Sequence, residues 1–264
     1  MEFVKEFTTF LHQNGIIKFG DFTLASGKKS SYYVDLRLVP SYPHEFRKMV
    51  KYLENEIAEN IGFNKFDSIV SVPTGGLVIA SALAIETVKP LIYVRSKPKD
   101  YGTSKLVEGK IHDGMEVIMI DDVATTGGSV VNAIKSLKEV KISVKDAYVI
   151  VNRMEGADEA LFKLGVKMHS ILNIIQITEL LYEQNLVDES VLEKVKNQIG
   201  KWVLAAQTNA FQSSFRYNSD SSLQPINFEF AYFKTNGNGM GPKGFDPLAH
   251  RLWAGYSTKL SYGP

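Results

Sequence analysis

The chain of 264 residues contains no cysteine, so disulfide frameworks, thiolate metal sites and a cysteine nucleophile are all excluded. No stretch approaches the roughly 18 consecutive apolar residues of a membrane span, and MEFVKEFTTFLHQNG carries acids where a secretory signal would be apolar. A cytoplasmic setting without membrane partners is the expectation. Charge of one sign is also missing. With 30 basic and 29 acidic residues the net charge is +1, and no long block of like charge suggests a nucleic-acid partner. Five histidines without close pairing leave no support for zinc.

What the chain does have is concentrated in residues 117–129, VIMIDDVATTGGS. An apolar run ends in Asp121 and Asp122 and is followed by Val123, Ala124, Thr125, Thr126, Gly127, Gly128 and Ser129. This pattern predicts a buried strand whose carboxyl end opens into a polar turn before a helix. The turn suits a phosphate, because hydroxyls and unhindered backbone N–H groups meet the positive end of a helix dipole. The acids need another guest, such as a polyol, a cation or a developing positive charge. A sugar phosphate satisfies both halves. A P-loop requires GxxxxGK[ST] and a dinucleotide fingerprint requires GxGxxG, and this junction carries neither.

The stretch resembles the phosphoribosyl pyrophosphate (PRPP) motif of type I phosphoribosyltransferases, in which two acids face the ribose hydroxyls and the following loop holds the 5-phosphate. A second strand-to-helix junction follows residues 68–72, where Thr74, Gly75 and Gly76 form an unhindered turn. In the family the matching loop contacts the pyrophosphate of PRPP. After an expected strand at 91–95, the chain turns to SKPKDYGTSKLVEGKIHDG, read as a long irregular surface loop. Arg95, Lys97, Lys99 and Lys105 make it basic, which suits a lid over a polyphosphate that excludes water from a reactive glycosyl cation.

Two further segments resemble orotate phosphoribosyltransferases in particular. FTLASGKKSSYYVDLR, residues 22–37, reads as a hairpin and matches the family's F-x-L-x-S-G-x-x-S-x-Y segment, which closes over the nucleobase. Ala25 stands where bacterial members often carry lysine, so Lys28 or backbone groups near Tyr32 and Tyr33 would take its place. The strand expected at 146–152 ends in Asn152, Arg153, Glu155 and Gly156, on the edge where ligands bind open α/β sheets. A guanidinium there can pair bidentately with a carboxylate, which orotate has and purine bases lack. The family's matching arginine is an orotate contact. In the lid, Arg95 and Lys99 fall on matching positions, whereas Ser96 replaces a common lysine and Tyr101 a common histidine. Lys99 is therefore the expected partner of the leaving group, and Tyr101 a candidate for proton transfer.

The expected fold is α/β, a mainly parallel sheet flanked by helices, with a small hood from about residues 1–37. The expected activity joins orotate to PRPP, giving orotidine 5-phosphate and pyrophosphate through an oxocarbenium-like transition state. Catalysis would fall to Lys99, Asp121, Asp122 and Arg95. PRPP would be held by these four together with Thr74–Gly76 and residues 123–129, and orotate by Arg153, Thr125, Lys28, Tyr32 and Tyr33. The resemblance also implies Mg²⁺ carried by PRPP rather than by protein ligands, and a homodimer sharing the lid. A purine phosphoribosyltransferase and a non-catalytic PRPP sensor are the alternatives of the same fold.

The resemblance covers residues 1–200 and stops there. Residues 201–264 hold both tryptophans and twelve aromatic residues but only nine of the 59 acidic and basic ones. Pieces such as INFEFAYF predict strands or an interaction tail rather than helices, and this C-terminal extension has no assigned role.

Overall fold

A computed structural model describes residues 2–24, 27–97 and 106–214, with side chains as far as Lys201. The chain divides into two units, Met1–Gln212 and Ser213–Pro264, and the architecture below is that of the first.

Six strands form the main sheet: β3 (Ser68–Ser71), β4 (Leu91–Val94), β5 (Val107–Glu108), β6 (Glu116–Ala124), β7 (Ser143–Asn152) and β8 (Lys167–Asn173). Their order is β5-β4-β3-β6-β7-β8, parallel except for β5, which pairs antiparallel with β4. Parallel strands covered on both faces need apolar side chains in both directions, and VIMI at the start of β6 supplies them. Ile118 and Ile120 enter the core beneath the N-terminal helices, while Val117 and Met119 enter the opposite one.

The first core lies under α1 (Glu2–Gln13), α2 (Pro43–Asn60), α3 (Gly75–Thr87), α6 (Ile174–Glu183) and α7 (Glu189–Ser214). Phe7, Leu11, Leu53, Ile57, Leu83, Ile177 and Val195 are buried there at helical spacing. The second core lies under α4 (Gly128–Glu139) and α5 (Ala157–Phe162), with Val130, Ile134, Leu137 and Leu161 inward. The hood is a separate antiparallel hairpin, β1 (Ile17–Thr23) and β2 (Lys29–Val34). A 3₁₀ helix, Leu36–Ser41, connects it to α2. In β2 the alternation is clean: Ser30, Tyr32 and Val34 point inward.

The chain reverses its winding at β3 and β6. From β3 it passes through α3 to β4 on one side, and from β6 through α4 to β7 on the other. Loops leaving the carboxyl ends of these adjacent strands therefore diverge to opposite faces and leave a crevice between them, the usual ligand position in open α/β sheets.

Three expectations need correction. The basic loop is not irregular throughout, because β5 closes its base as a hairpin and Arg95 N donates to Leu106 O at 2.9 Å. Strand β6 continues past the acids to Ala124, paired with β7 through Ala124↔Asn152. Helix α7 passes through Gly200 to Ser214, so the first part of the aromatic-rich segment is helical. A glycine in a helix interior costs only about 1 kcal/mol, too little to stop a helix already packed through Leu192, Val195 and Ile199. The segment INFEFAYF lies outside the described residues.

Leu83 is fully buried between α3 and the sheet. Its replacement by alanine is expected to lower stability by about 2–5 kcal/mol, read as a fall in urea midpoint at unchanged slope.

Candidate active site

The phosphate cradle is fixed by its neighbours rather than by its own side chains. Gly127 caps α4 with φ 75° and has no side chain to close the N-terminus, and the first turn carries no acid. Its positive φ suits glycine, and so does its surroundings: a Cβ there would lie 3.3 Å from the Ala157 Cα. Two backbone bonds pin the turn from the next loop, Arg153 N to Ala124 O at 2.9 Å and Ala157 N to Thr125 O at 3.1 Å. Thr126, Gly128 and Ser129 remain exposed. The first N–H groups of α4 are thus presented to solvent beside two hydroxyl side chains, an arrangement that receives a phosphate.

Across the crevice, the turn after β3 lies directly on the two acids. A Cβ on Gly75 would overlap the Asp122 carboxylate, and one on Gly76 would lie 2.5 Å from Asp121 Oδ1 and 2.9 Å from the Asp121 Cα. Only glycine at both positions permits this approach. The Pro73–Thr74 peptide is cis, and Thr74 is exposed at the mouth of the turn. Buried Ser71 ties the two strands together below it, donating from Oγ to Ile120 O at 2.7 Å.

Burial, reinforced by the adjacent Asp122 charge, pushes the Asp121 carboxyl well above the ordinary carboxylate range. Asp121 Oδ1 also accepts from Asp122 N at 3.0 Å. Two carboxylates held together and partly out of water favour a guest that donates hydrogen bonds or brings positive charge. A ribose supplies the first, and an oxocarbenium-like ribose also the second.

Arg153 extends this row of strand ends. It is buried and forms an ion pair with buried Glu155, Nη2 to Oε1 at 2.8 Å and Nε to Oε1 at 2.9 Å. Its guanidinium carbon lies 4.7 Å from the centre of the Tyr32 ring. The Nη2 group also donates to Ser30 Oγ at 3.3 Å. The carboxylate expected opposite this arginine is therefore already matched, within the protein, by Glu155. Tyr32 lies beneath the guanidinium and is fully buried, whereas Tyr33 is on the other face of β2 beside Phe22, ring centres 5.8 Å apart. Lys28 is exposed at the hairpin turn.

Arg95 sits at the base of the lid, with Nη1 3.5 Å from Glu108 Oε1 and Nε donating to Lys97 O at 3.3 Å. Lys99, Tyr101, Lys105 and Ala25 lie outside the described residues. Sequence reasoning missed Arg37, which is held by Asp35 through Nε–Oδ1 at 2.6 Å and Nη2–Oδ2 at 2.8 Å, within electrostatic range of Asp122. Gln198 was missed as well. Its amide reaches Ser30 and Ser31 from α7, and nothing local in the sequence of a helix surface signals such a contact.

Comparison with known proteins places this geometry. Residues 43–178 match the phosphoribosyl transferase domain family. The orotate phosphoribosyltransferase of Cenarchaeum symbiosum is 46% identical over 198 residues, which span 75% of this chain and 99% of that protein. The chain belongs to the orotate phosphoribosyltransferase family. The Staphylothermus marinus member is 38% identical over 198 residues, covering 75% of this chain and 95% of its own. The crystal structure of orotate phosphoribosyltransferase from Aeropyrum pernix superimposes with a TM-score of 0.60 at 34% identity, covering 69% of this chain and 99% of that one. Membership fits both the mainly parallel sheet and the crevice between β3 and β6. In this family member, α7 and the hood, which carry Gln198, Ser30 and Tyr32, lie outside the span of the domain match.

The raised Asp121 carboxyl has a consequence for stability. The folded state holds that proton more tightly than the unfolded chain, so its contribution is complete at acid pH and is lost as pH rises through the raised value. Asp121→Asn removes the loss. The Tm of the ligand-free variant is expected to exceed wild type by a few degrees near neutrality, with a flatter profile from about pH 5 to about pH 8 in scanning calorimetry.

Proposed function

We propose that the chain transfers the 5-phosphoribosyl group of PRPP to orotate, releasing pyrophosphate and forming orotidine 5-phosphate. The observation that carries this reading is the meeting of three strand ends at one edge: a helix N-terminus after β6 with no side-chain cap, a glycine turn lying on two acids after β3, and the Arg153 guanidinium after β7.

In this reading the turn 125–129 holds the 5-phosphate and so fixes the anomeric carbon in place. Asp121 and Asp122 accept from the ribose hydroxyls. The bond from the anomeric carbon to the pyrophosphate oxygen breaks with its electron pair passing to pyrophosphate, and the two carboxylates stabilise the cationic ribose left behind. Thr74, Gly75 and Gly76 offer backbone to the pyrophosphate, while Arg95 and Lys99 neutralise it as it leaves. A ring nitrogen of orotate supplies the electron pair for the new C–N bond and gives up its proton, with Tyr101 a candidate for that transfer. Arg153 orients the base by its carboxylate, with Thr125, Lys28, Tyr32 and Tyr33 around it. No covalent protein intermediate is needed.

The site also suits Mg²⁺ carried by PRPP. The acids Asp121 and Asp122 are hard oxygen groups whose mutual repulsion a nearby cation relieves, and the ion would neutralise pyrophosphate oxygens. The catalytic part of the chain is then residues 1–200, acting in the cytoplasm.

Orotate turnover, followed by pyrophosphate release, is expected to exceed that of adenine, guanine and hypoxanthine by at least about 100-fold, because a purine leaves the buried guanidinium of Arg153 without the second acceptor that orotate supplies. Turnover of purines alone would contradict the proposal. Arg153→Ala should raise the KM for orotate about tenfold or more while leaving the KM for PRPP nearly unchanged.

The same reading includes a homodimer in which the lid is shared. An apolar row along α3 and its C-cap supports it: Val78, Ile85 and Val88 are 40%, 80% and 89% exposed, with Val78 within the first turn after the glycines that meet the acids and the other two at the far end of the helix. Ile85→Glu is expected to convert a species of twice the 29.5 kDa chain mass into one of single mass in sedimentation equilibrium. A wild-type chain that sediments as a monomer at all concentrations would remove the dimer from the proposal.

A further inference from the structure

We propose that Glu155 and Gln198 are positioning residues that hold Arg153 in one attitude, so that a single amino group, Nη1, is left to receive the carboxylate of the base. The inference rests on the reading of Arg153 as the orotate contact and goes beyond it by naming what aims that contact.

A guanidinium has five N–H groups in a fixed plane. In Arg153, Nε–H donates to Glu155 Oε1 at 2.9 Å, and Nη2 lies 2.8 Å from the same oxygen as its ion-pair partner. Nη2 donates to Ser30 Oγ at 3.3 Å. No hydrogen bond among the described residues uses Nη1. The edge that most readily grips a carboxylate with two parallel bonds is therefore occupied from within the protein, and an incoming carboxylate meets the guanidinium at its other end.

Each partner of the guanidinium is itself held. The Tyr32 hydroxyl is 3.1 Å from Glu155 Oε1 and 3.2 Å from Arg153 O, and the ring of the same tyrosine forms the floor under the guanidinium. Ser30 donates from Oγ to Tyr32 O at 2.7 Å and accepts from Arg153 and, at 3.3 Å, from Gln198 Nε2, with Tyr32 N a longer third donor at 3.4 Å. Gln198 Oε1 accepts from both Ser31 N at 2.7 Å and Ser31 Oγ at 2.9 Å. A glutamine on α7 thus spans two successive hydroxyls of β2, and through Ser30 it reaches the buried arginine. Because Glu155 already neutralises Arg153, binding of a carboxylate depends on where Nη1 points more than on the net charge of the pocket.

The test is steady-state kinetics on four variants of the full chain. Gln198→Ala is expected to raise the KM for orotate about threefold to tenfold, with the KM for PRPP and kcat within about twofold of wild type. Glu155→Ala should raise the orotate KM by about tenfold or more, and Glu155→Gln, which keeps an oxygen for the guanidinium, should restore most of it. Gln198 is only partly buried, so its variant carries the test if Glu155→Ala does not fold. Arg153→Ala separates the two levels. If it leaves the orotate KM unchanged, the reading of Arg153 as the base contact fails. If it raises that KM while Gln198→Ala does not, or if Gln198→Ala raises both KM values equally, the positioning role fails and the reading of Arg153 stands.

Discussion

Among the described glycines the tightest approach is between the turn after β3 and the two acids near the end of β6. Glycines at 75 and 76 let backbone lie where any side chain would overlap the carboxylates of Asp122 and Asp121. Much follows from that approach. It brings the start of α3 against β6, it limits the water around Asp121 enough to raise its carboxyl, and it sets the width of the crevice at the point where the winding of the sheet reverses. The apolar character of α3 belongs to the same design. With small residues at Ala80 and Ala84 facing inward, the helix can sit close to the sheet along its length.

Charge is arranged around this contact in opposed pieces. The N-terminus of α4 and the backbone of the glycine turn offer positive dipoles without side-chain charge, whereas Asp121 and Asp122 are crowded acids, with burial and the Asp122 charge disfavouring ionisation of Asp121. A phosphate alone would be repelled by the acids, and a neutral sugar alone would leave the helix end unmatched. A sugar that carries phosphate at one end and pyrophosphate at the other meets every group with its complement. In the ligand-free state the crowding is a cost to stability, which is common where strong interactions are kept for a reacting species.

The geometry of the turn proposed to hold PRPP was legible in the sequence because it is local. A strand, its terminal acids and the turn that follows are contiguous from 117 to 129, and each residue type has one physical use there. Only the extent of β6 was misjudged, since the pairing of Val123 and Ala124 with β7 depends on a neighbour far along the chain. The base side was legible in part. Arg153 could be identified from its place at a strand end, but its pairing with Glu155, two residues on, was not, because Met154 between them adopts φ 57° and turns the chain so that both side chains meet. Tyr32 was read as a residue of the base side, but its stacking under the arginine was not legible, because its direction is set by burial on the same face of β2 as Ser30 and Val34. The helix through Gly200 was hidden by a change in composition that tracks surface character rather than backbone conformation.

The two halves of the site therefore differ in how they are built. The phosphoribosyl half stands on the central strands of the sheet, tied by backbone bonds such as Arg153 to Ala124 and Ala157 to Thr125. The base half is assembled from side chains of three separated regions, the hood, the end of β7 and α7, joined through Ser30, Arg153, Glu155 and Gln198. Backbone ties tolerate substitution, while side-chain networks change with a single residue. It follows that a change of base preference on this scaffold requires alteration only of the second half, with the cradle for PRPP left as it is. The turn at 152–157 is where the halves join: its backbone N–H groups at Arg153 and Ala157 hold the turn proposed for the phosphate, and its side chains at Arg153 and Glu155 form the ion pair on the proposed base side. A shift in that turn would move both substrates relative to each other, and with them the distance over which the new glycosidic bond must form.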